Sequence, residues 1–171
     1  AIAYTGITPK RLRSDNAGEF ESAEFVAFCN AHDIPIFREW SNPGEQFQNG
    51  IVEHLVHEVS RKMRVFMLQS GLQVEFWPYA LTHAVNVLIH IPHSSLENKS
   101  PIIVSGRQPF HHLLHPFGCR ATVLRRNVQA AHTTAHGEFG VYLGVGIRQG
   151  HKGLLVFHPH DSSLTVSYHV K

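Results

Sequence analysis

The stretch "LRSDNAGEF", residues 12–20, closes a short predicted strand over residues 9–14 and delivers the chain to Asp15. An aspartate there is commonly a turn former. The same position, the C-terminal end of a strand, is where open α/β sheets place their chemistry. The choice between these roles depends on what partner the rest of the chain supplies.

On the C-terminal side, Phe25, Val26, Phe28 and Cys29 recur with a helical period within residues 22–32, and Ser22 suits a cap. "IPIF", residues 34–37, reads as a short buried strand. "REWSNPGEQFQNG" then carries the glycine and proline signals of a loop. The longest periodic signal starts near Gly50. Val52, Leu55, Val56, Val59, Met63, Phe66 and Met67 form an apolar stripe of about five turns, stopped by Ser70-Gly71. A second helix is expected from Val74 to near Leu88; Pro78 demands that it begin close to Phe76-Trp77. The Pro-, Ser- and His-rich region beyond it, residues 93–110 at its centre, reads as a connector with one short helical piece. Strand candidates follow at 120–126, 139–145, 153–159 and 164–170, the last two flanking the turn signal "HDSS". Four short strands with tight turns suggest a small antiparallel barrel.

A length of 171 residues allows one or two small domains, and 43% apolar residues can build a core. The net charge of +2 is uninformative, but its distribution is not. Residues 1–98 hold seven Lys/Arg against eleven Asp/Glu; residues 99–171 hold eight against two. The halves therefore carry −4 and +6 and are suited to different tasks. Cys29 and Cys119 form no CxxC pair, which suits thiols in a reducing compartment. No signal peptide or membrane span is visible, so the reading is intracellular, not secreted, with no membrane partner. Residues 1–8 read as the middle of a longer sequence. Among 15 histidines, His111, His112 and His115 lie closest together, without a Cys or acid spaced to complete a zinc set. No nucleophile elbow, Walker loop or HExxH motif is present.

Glu53 falls in the first turn of the long helix, where free N–H groups and the dipole favour an acid for structural reasons alone. Asp15 and Glu53 converging on one point would instead hold Mg²⁺ or Mn²⁺ through oxygen ligands. Glu53, His57, Arg61 and Arg64 share one polar helix face. That face suits either a phosphate backbone passing a metal or plain solvation with acid–base pairs.

"LRSDNAGEF", "EFVAFCNAHDI" and "QNGIVEH", in this order, resemble the integrase core of copia-type LTR retrotransposons. "MRVFMLQSGLQVEFWPYALTHAVNVLIHIP" resembles the helical region after that family's catalytic Glu. "PFGCRATV", "GEFGVYLGV" and "GLLVFHPHDSSLTVSYHV" resemble the SH3-like domain that follows. The resemblance covers nearly the whole chain. It implies an α/β protein: a partial ribonuclease-H-like core over 1–92, a connector over 93–110, and a small all-β SH3-like barrel over 111–171. The implied function is DNA integration by polynucleotidyl transfer, meaning 3′-end processing and strand transfer, at a two-metal D,D,E site. Asp15 and Glu53 match the second and third acids and are the implied ligands of Mg²⁺ or Mn²⁺. Asn16, Gln48, Asn49 and Gly50 match residues that shape the site and touch DNA. His57, Arg61, Arg64, Arg125 and Arg126 are the further candidate DNA contacts. Implied partners are DNA, both element ends and target, and further copies of the integrase. Implied locations are the nucleus or a cytoplasmic virus-like particle.

The departures set a further expectation. None of the fourteen residues before Asp15 is an acid, so the family's first aspartate has no match here, nor does its His/Cys zinc module. Ala17 stands where the family has Gly, and His54 where it has Arg. The 37 residues between Asp15 and Glu53 slightly exceed the family's spacing. A site with two of its three carboxylates would hold its two ions weakly or not at all, so the fragment is expected to be catalytically incomplete. The alternative is a non-catalytic nucleic-acid-binding or inert remnant. Its phosphate contacts would be Arg107, Arg120, Arg125, Arg126, Arg148 and Lys152.

Overall fold

The structure, a computed structural model, describes residues 9–14, 18–31, 35–40, 50–124 and 137–168. It is a mixed α/β protein whose contacts divide it into two compact units, Ala1–Val56 and His57–Lys171.

In the first unit, strand β1 (Arg11–Ser14) pairs in parallel with β2 (Phe37–Trp40), in the register Arg11 opposite Phe37 through Ser14 opposite Trp40. A parallel pair needs a crossover, and helices α1 (Gly18–Glu21) and α2 (Ala23–Asn30) lie in it. Ser22 caps α2 as expected: its Oγ accepts the Phe25 N–H at 3.3 Å. Cys29 and Ile36 are buried, and the Ile36 N–H donates to the Cys29 carbonyl at 3.0 Å. The second strand runs through "FREW" rather than "IPIF". The expected loop therefore begins with a strand. Backbone pairing with β1 overrides its polar composition, and Glu39 adds contacts by accepting from Arg11 at 3.2 Å and Arg13 at 3.1 Å on the neighbouring strand.

Helix α3 (Gly50–Ser70) spans the stretch its periodicity predicts, and the boundary between the units falls within it. Val52, Leu55 and Val56 are each more than half exposed. In the second unit, Met63, Phe66 and Met67 pack against Ala80, Phe117 and Leu143. The helix stops where Gly71 takes a φ of 63°, which L-residues adopt at a cost. Helix α4 (Trp77–Leu88) follows a single 3₁₀ turn and carries Pro78 in its first turn, the placement its ring requires. Ala80, His83 and Ala84 form its buried face. The connector holds two short helical pieces where one was expected, a 3₁₀ turn at Ser94–Leu96 and helix α5 (Pro101–Val104).

The four strand candidates form one antiparallel sheet in the order β3 (Arg120–Leu124), β4 (Gly137–Arg148), β5 (His151–His158), β6 (Ser163–Ser167). Alternation along the strands builds two cores. One face holds Ala121, Val123, Tyr142, Leu154 and Val156. The other turns Val141, Leu143, Leu155 and Phe157 toward Phe117 and the α3–α4 residues. Tyr142 and Leu143 enter opposite cores by that alternation, and a bulge between Tyr142 and Gly144 sets two residues, Leu143 and Gly144, opposite Leu155.

Candidate nucleic-acid interface

Helix α3 carries the expected polar residues. Glu53 is exposed in its first turn, and His57, Arg61 and Arg64 are exposed further along. Gly50 is the first residue of α3 and has open space where a side chain would project. Arg61 pairs with Glu58, one turn back, at 3.1 Å. Such an exposed pair contributes well under about 1 kcal/mol, so it competes only weakly with a phosphate for the guanidinium. Asp15, Asn16, Gln48, Asn49, Arg125 and Arg126 lie outside the described residues.

The other cations of the basic half are held in different ways. Arg120 stacks its guanidinium 3.6 Å over the Phe139 ring. The Lys152 ammonium sits 3.7 Å over the Phe110 ring. Burial, and secondarily the charge of Arg107, push the Lys152 pKa down. Arg148 is exposed at the end of β4. An exposed, stacked Arg120 is preorganised, which lowers the entropy cost of meeting an anion. Half-buried Lys152 is instead part of the packing around Phe110.

The histidines separate into distinct environments. His111 and His112 contact one another edge to face, and His115 meets the Tyr142 ring. His90 is fully used: Nδ1 donates to the Asn86 carbonyl at 2.6 Å, and Nε2 accepts the Phe110 N–H at 3.0 Å. His83 lies among Phe66, Phe117 and Tyr142, and burial pushes its pKa down to about 4. Among the described residues, one group brings three metal-ligand side chains together, and it is not the 111–115 cluster. Glu138, His158 and His160 place their donor atoms within 4.8 Å of one another. The only local signal for it is the "HPH" spacing of residues 158–160. Glu138 joins it through strand register, which the sequence does not display.

No described helix is long and apolar enough to cross a membrane. No family model matches the chain. The chain is 34% identical over 118 residues, 68% of its length, to the retrovirus-related Pol polyprotein from transposon TNT 1-94 of Nicotiana tabacum, covering 9% of that protein. It is 26% identical over 159 residues, 92% of its length, to the retrovirus-related Pol polyprotein from transposon RE1 of Arabidopsis thaliana, covering 10% of it. For the polyprotein from transposon RE2 of the same plant the values are 28% over 109 residues, 63% of this chain and 7% of the relative. The homologues of this chain are thus transposon Pol polyproteins, at modest identity. The chain spans a tenth or less of the length of these curated relatives.

Proposed function

We propose that the chain is part of a retrotransposon integrase and takes part in polynucleotidyl transfer on DNA. In this reading residues 1–92 belong to a ribonuclease-H-like core and residues 111–171 to an SH3-like domain. The observation that carries it is the parallel β1–β2 pair with helices in its crossover. Asp15 directly follows β1, and Glu53 opens the next long helix. The Pol polyprotein homologues support the same reading.

The donor chemistry fits a hard cation, since Asp15 and Glu53 are both carboxylates and Mg²⁺ and Mn²⁺ prefer oxygen. Such ions, when bound, activate an attacking water or 3′-hydroxyl and stabilise the leaving oxygen. Asp15 and Glu53 would hold them. His57, Arg61 and Arg64 would take the DNA phosphates, Arg61 by releasing Glu58. Asn16, Gln48, Asn49 and Gly50 would shape the loops beside the DNA, and Arg125 and Arg126 would add contacts from the basic half. Only two acids of a D,D,E set are matched within these 171 residues, so the chain alone is expected to bind DNA ends without joining them.

Fluorescence anisotropy with a DNA duplex across a salt series tests this. Affinity should fall with salt, and Arg64→Ala should reduce the salt slope by about one phosphate contact. Binding without salt dependence, or none, would remove the DNA reading. A Mn²⁺-dependent joining assay on the same samples tests the chemistry. Joined products that disappear in Asp15→Asn would overturn the expectation of an incomplete site. The +6 charge of residues 99–171 favours, as a second reading, a module that binds nucleic acid without chemistry. Salt-dependent binding unaffected by Arg64→Ala but weakened by Arg120→Ala would point to it.

A further inference from the structure

We propose that Glu138, His158 and His160 form a site for a borderline divalent transition metal, with Zn²⁺ the expected occupant. The proposal does not depend on the integrase reading. Glu138 is the second residue of β4, His158 ends β5, and His160 lies in the turn between β5 and β6. Because β4 and β5 are neighbours in the sheet, the three side chains meet at one corner of it. The Glu138 Oε1 lies 2.8 Å from His160 Nε2 and 3.9 Å from His158 Nδ1.

His158 gives the corner its direction. It is only 4% exposed, yet its Nδ1 has no hydrogen-bond partner. At 3.9 Å the Glu138 oxygen is too far to be one. Buried polar atoms are nearly always paired, so such an exception calls for an explanation. The other nitrogen, Nε2, lies 2.8 Å from Thr165 Oγ1. With Nε2–H donating to that hydroxyl, Nδ1 carries a lone pair aimed at Glu138 and His160. Metal-bound histidines are typically oriented this way, by a second residue on the far nitrogen. Among the described residues His83 is the other buried imidazole with an unpartnered Nδ1, but aromatic rings surround it and it belongs to no such donor group there. Gly140 helps keep the corner open: a Cβ there would collide with Val156 and stand 3.6 Å from His158 Nδ1.

Donor type selects the ion. Two imidazoles and one carboxylate suit Zn²⁺ and its late first-row neighbours, whereas Mg²⁺ prefers oxygen alone. Tetrahedral Zn²⁺ with bonds of about 2.0–2.1 Å sets its ligand atoms about 3.3 Å apart. The present 2.8 Å and 3.9 Å separations bracket that value, so a small shift of the Glu138 carboxylate toward His158, followed by the exposed His160, completes the geometry. Asp161 Oδ2 lies 3.4 Å from His160 Nε2 and adds negative charge beside the corner. A bound ion would tie the start of β4 to the β5–β6 hairpin.

Competition of the full metal-free chain against a chromophoric chelator for Zn²⁺ tests the proposal, with thermal unfolding as a second readout. The expected result is one tight site, a Tm rise of about 5 °C at saturating Zn²⁺, and no rise with Mg²⁺. His160→Ala and Glu138→Gln alter exposed or half-exposed side chains, so both should fold and each should weaken binding at least tenfold. Thr165→Val should weaken it about 10–100-fold by freeing the His158 ring. His111→Ala/His112→Ala should leave binding unchanged. Zn²⁺ affinity undiminished in both His160→Ala and Glu138→Gln, or lost in the His111/His112 variant, would assign binding to other surface histidines and overturn the site. Absence of any Tm rise with Zn²⁺ would overturn it as well.

Discussion

The two sheets of this molecule are built on opposite terms. The β1–β2 pair has four-residue strands with no buried residue, and its most visible cross-strand contact is Glu39 shared between Arg11 and Arg13. The β3–β6 sheet buries Tyr142, Leu143 and Val156 almost completely and has a core on each face. The residues expected to carry chemistry, Asp15 and Glu53, belong to the first unit, and the apolar burial belongs mainly to the second. Stability and proposed chemistry are therefore carried by different parts of the chain. Exposed ion pairs contribute little, while a buried apolar side chain contributes about 1.5–3 kcal/mol.

The largest effect that would break this contrast is at Leu143. Leu143→Ala is expected to cost about 2–5 kcal/mol, seen as a lower denaturant midpoint; a cost under 1 kcal/mol would mean the second core is not well packed. Acid should act next, through His83. Its folded pKa of about 4 lies below the ordinary 6.5, so between those values the unfolded chain binds more protons. Stability is then lost as pH falls, by about 3 kcal/mol at pH 4, and His83→Leu should flatten this step in a pH series of unfolding curves. Tyr142→Phe removes the hydroxyl that donates to the Leu113 carbonyl at 2.7 Å. It should cost about 0.5–1.5 kcal/mol by thermal unfolding, rising if the carbonyl finds no water. Smallest of all, Glu39→Ala should change stability by less than about 1 kcal/mol, and high salt should erase the difference. A Glu39 effect equal to that of Leu143 would end the distinction between the sheets.

Much of this fold was legible where a residue type acts locally. Ser22 caps, Pro78 opens a helix, and Gly71 closes one, each for reasons contained within a turn of chain. The strand "FREW" was not legible, because its state comes from a partner some 26 residues away. The α3 stripe predicted burial along its length, and Met63, Phe66 and Met67 fulfil it while Val52, Leu55 and Val56 do not. Periodicity states which face is apolar and not what covers it. Of the proposed DNA-facing set, the α3 residues were placed by period alone. The Glu138–His158–His160 corner needed the β4–β5 register, and no local pattern encodes a register.

The bulge in β4 has a consequence for how the chain tolerates length changes. On its N-terminal side even-numbered residues such as Tyr142 share a face with Val156; on its C-terminal side the odd-numbered Val145 lies opposite Leu154 on that same face. The strand thus changes parity once, at Leu143-Gly144. Losing Gly144 would set Leu143 against Leu155 and restore uninterrupted alternation, with the pairs on both sides intact. Losing one residue between Glu138 and Val141 would shift Glu138 one place along β5 and turn its side chain to the opposite face. One strand therefore contains both a place where evolution can cut a residue cheaply and a place where it cannot.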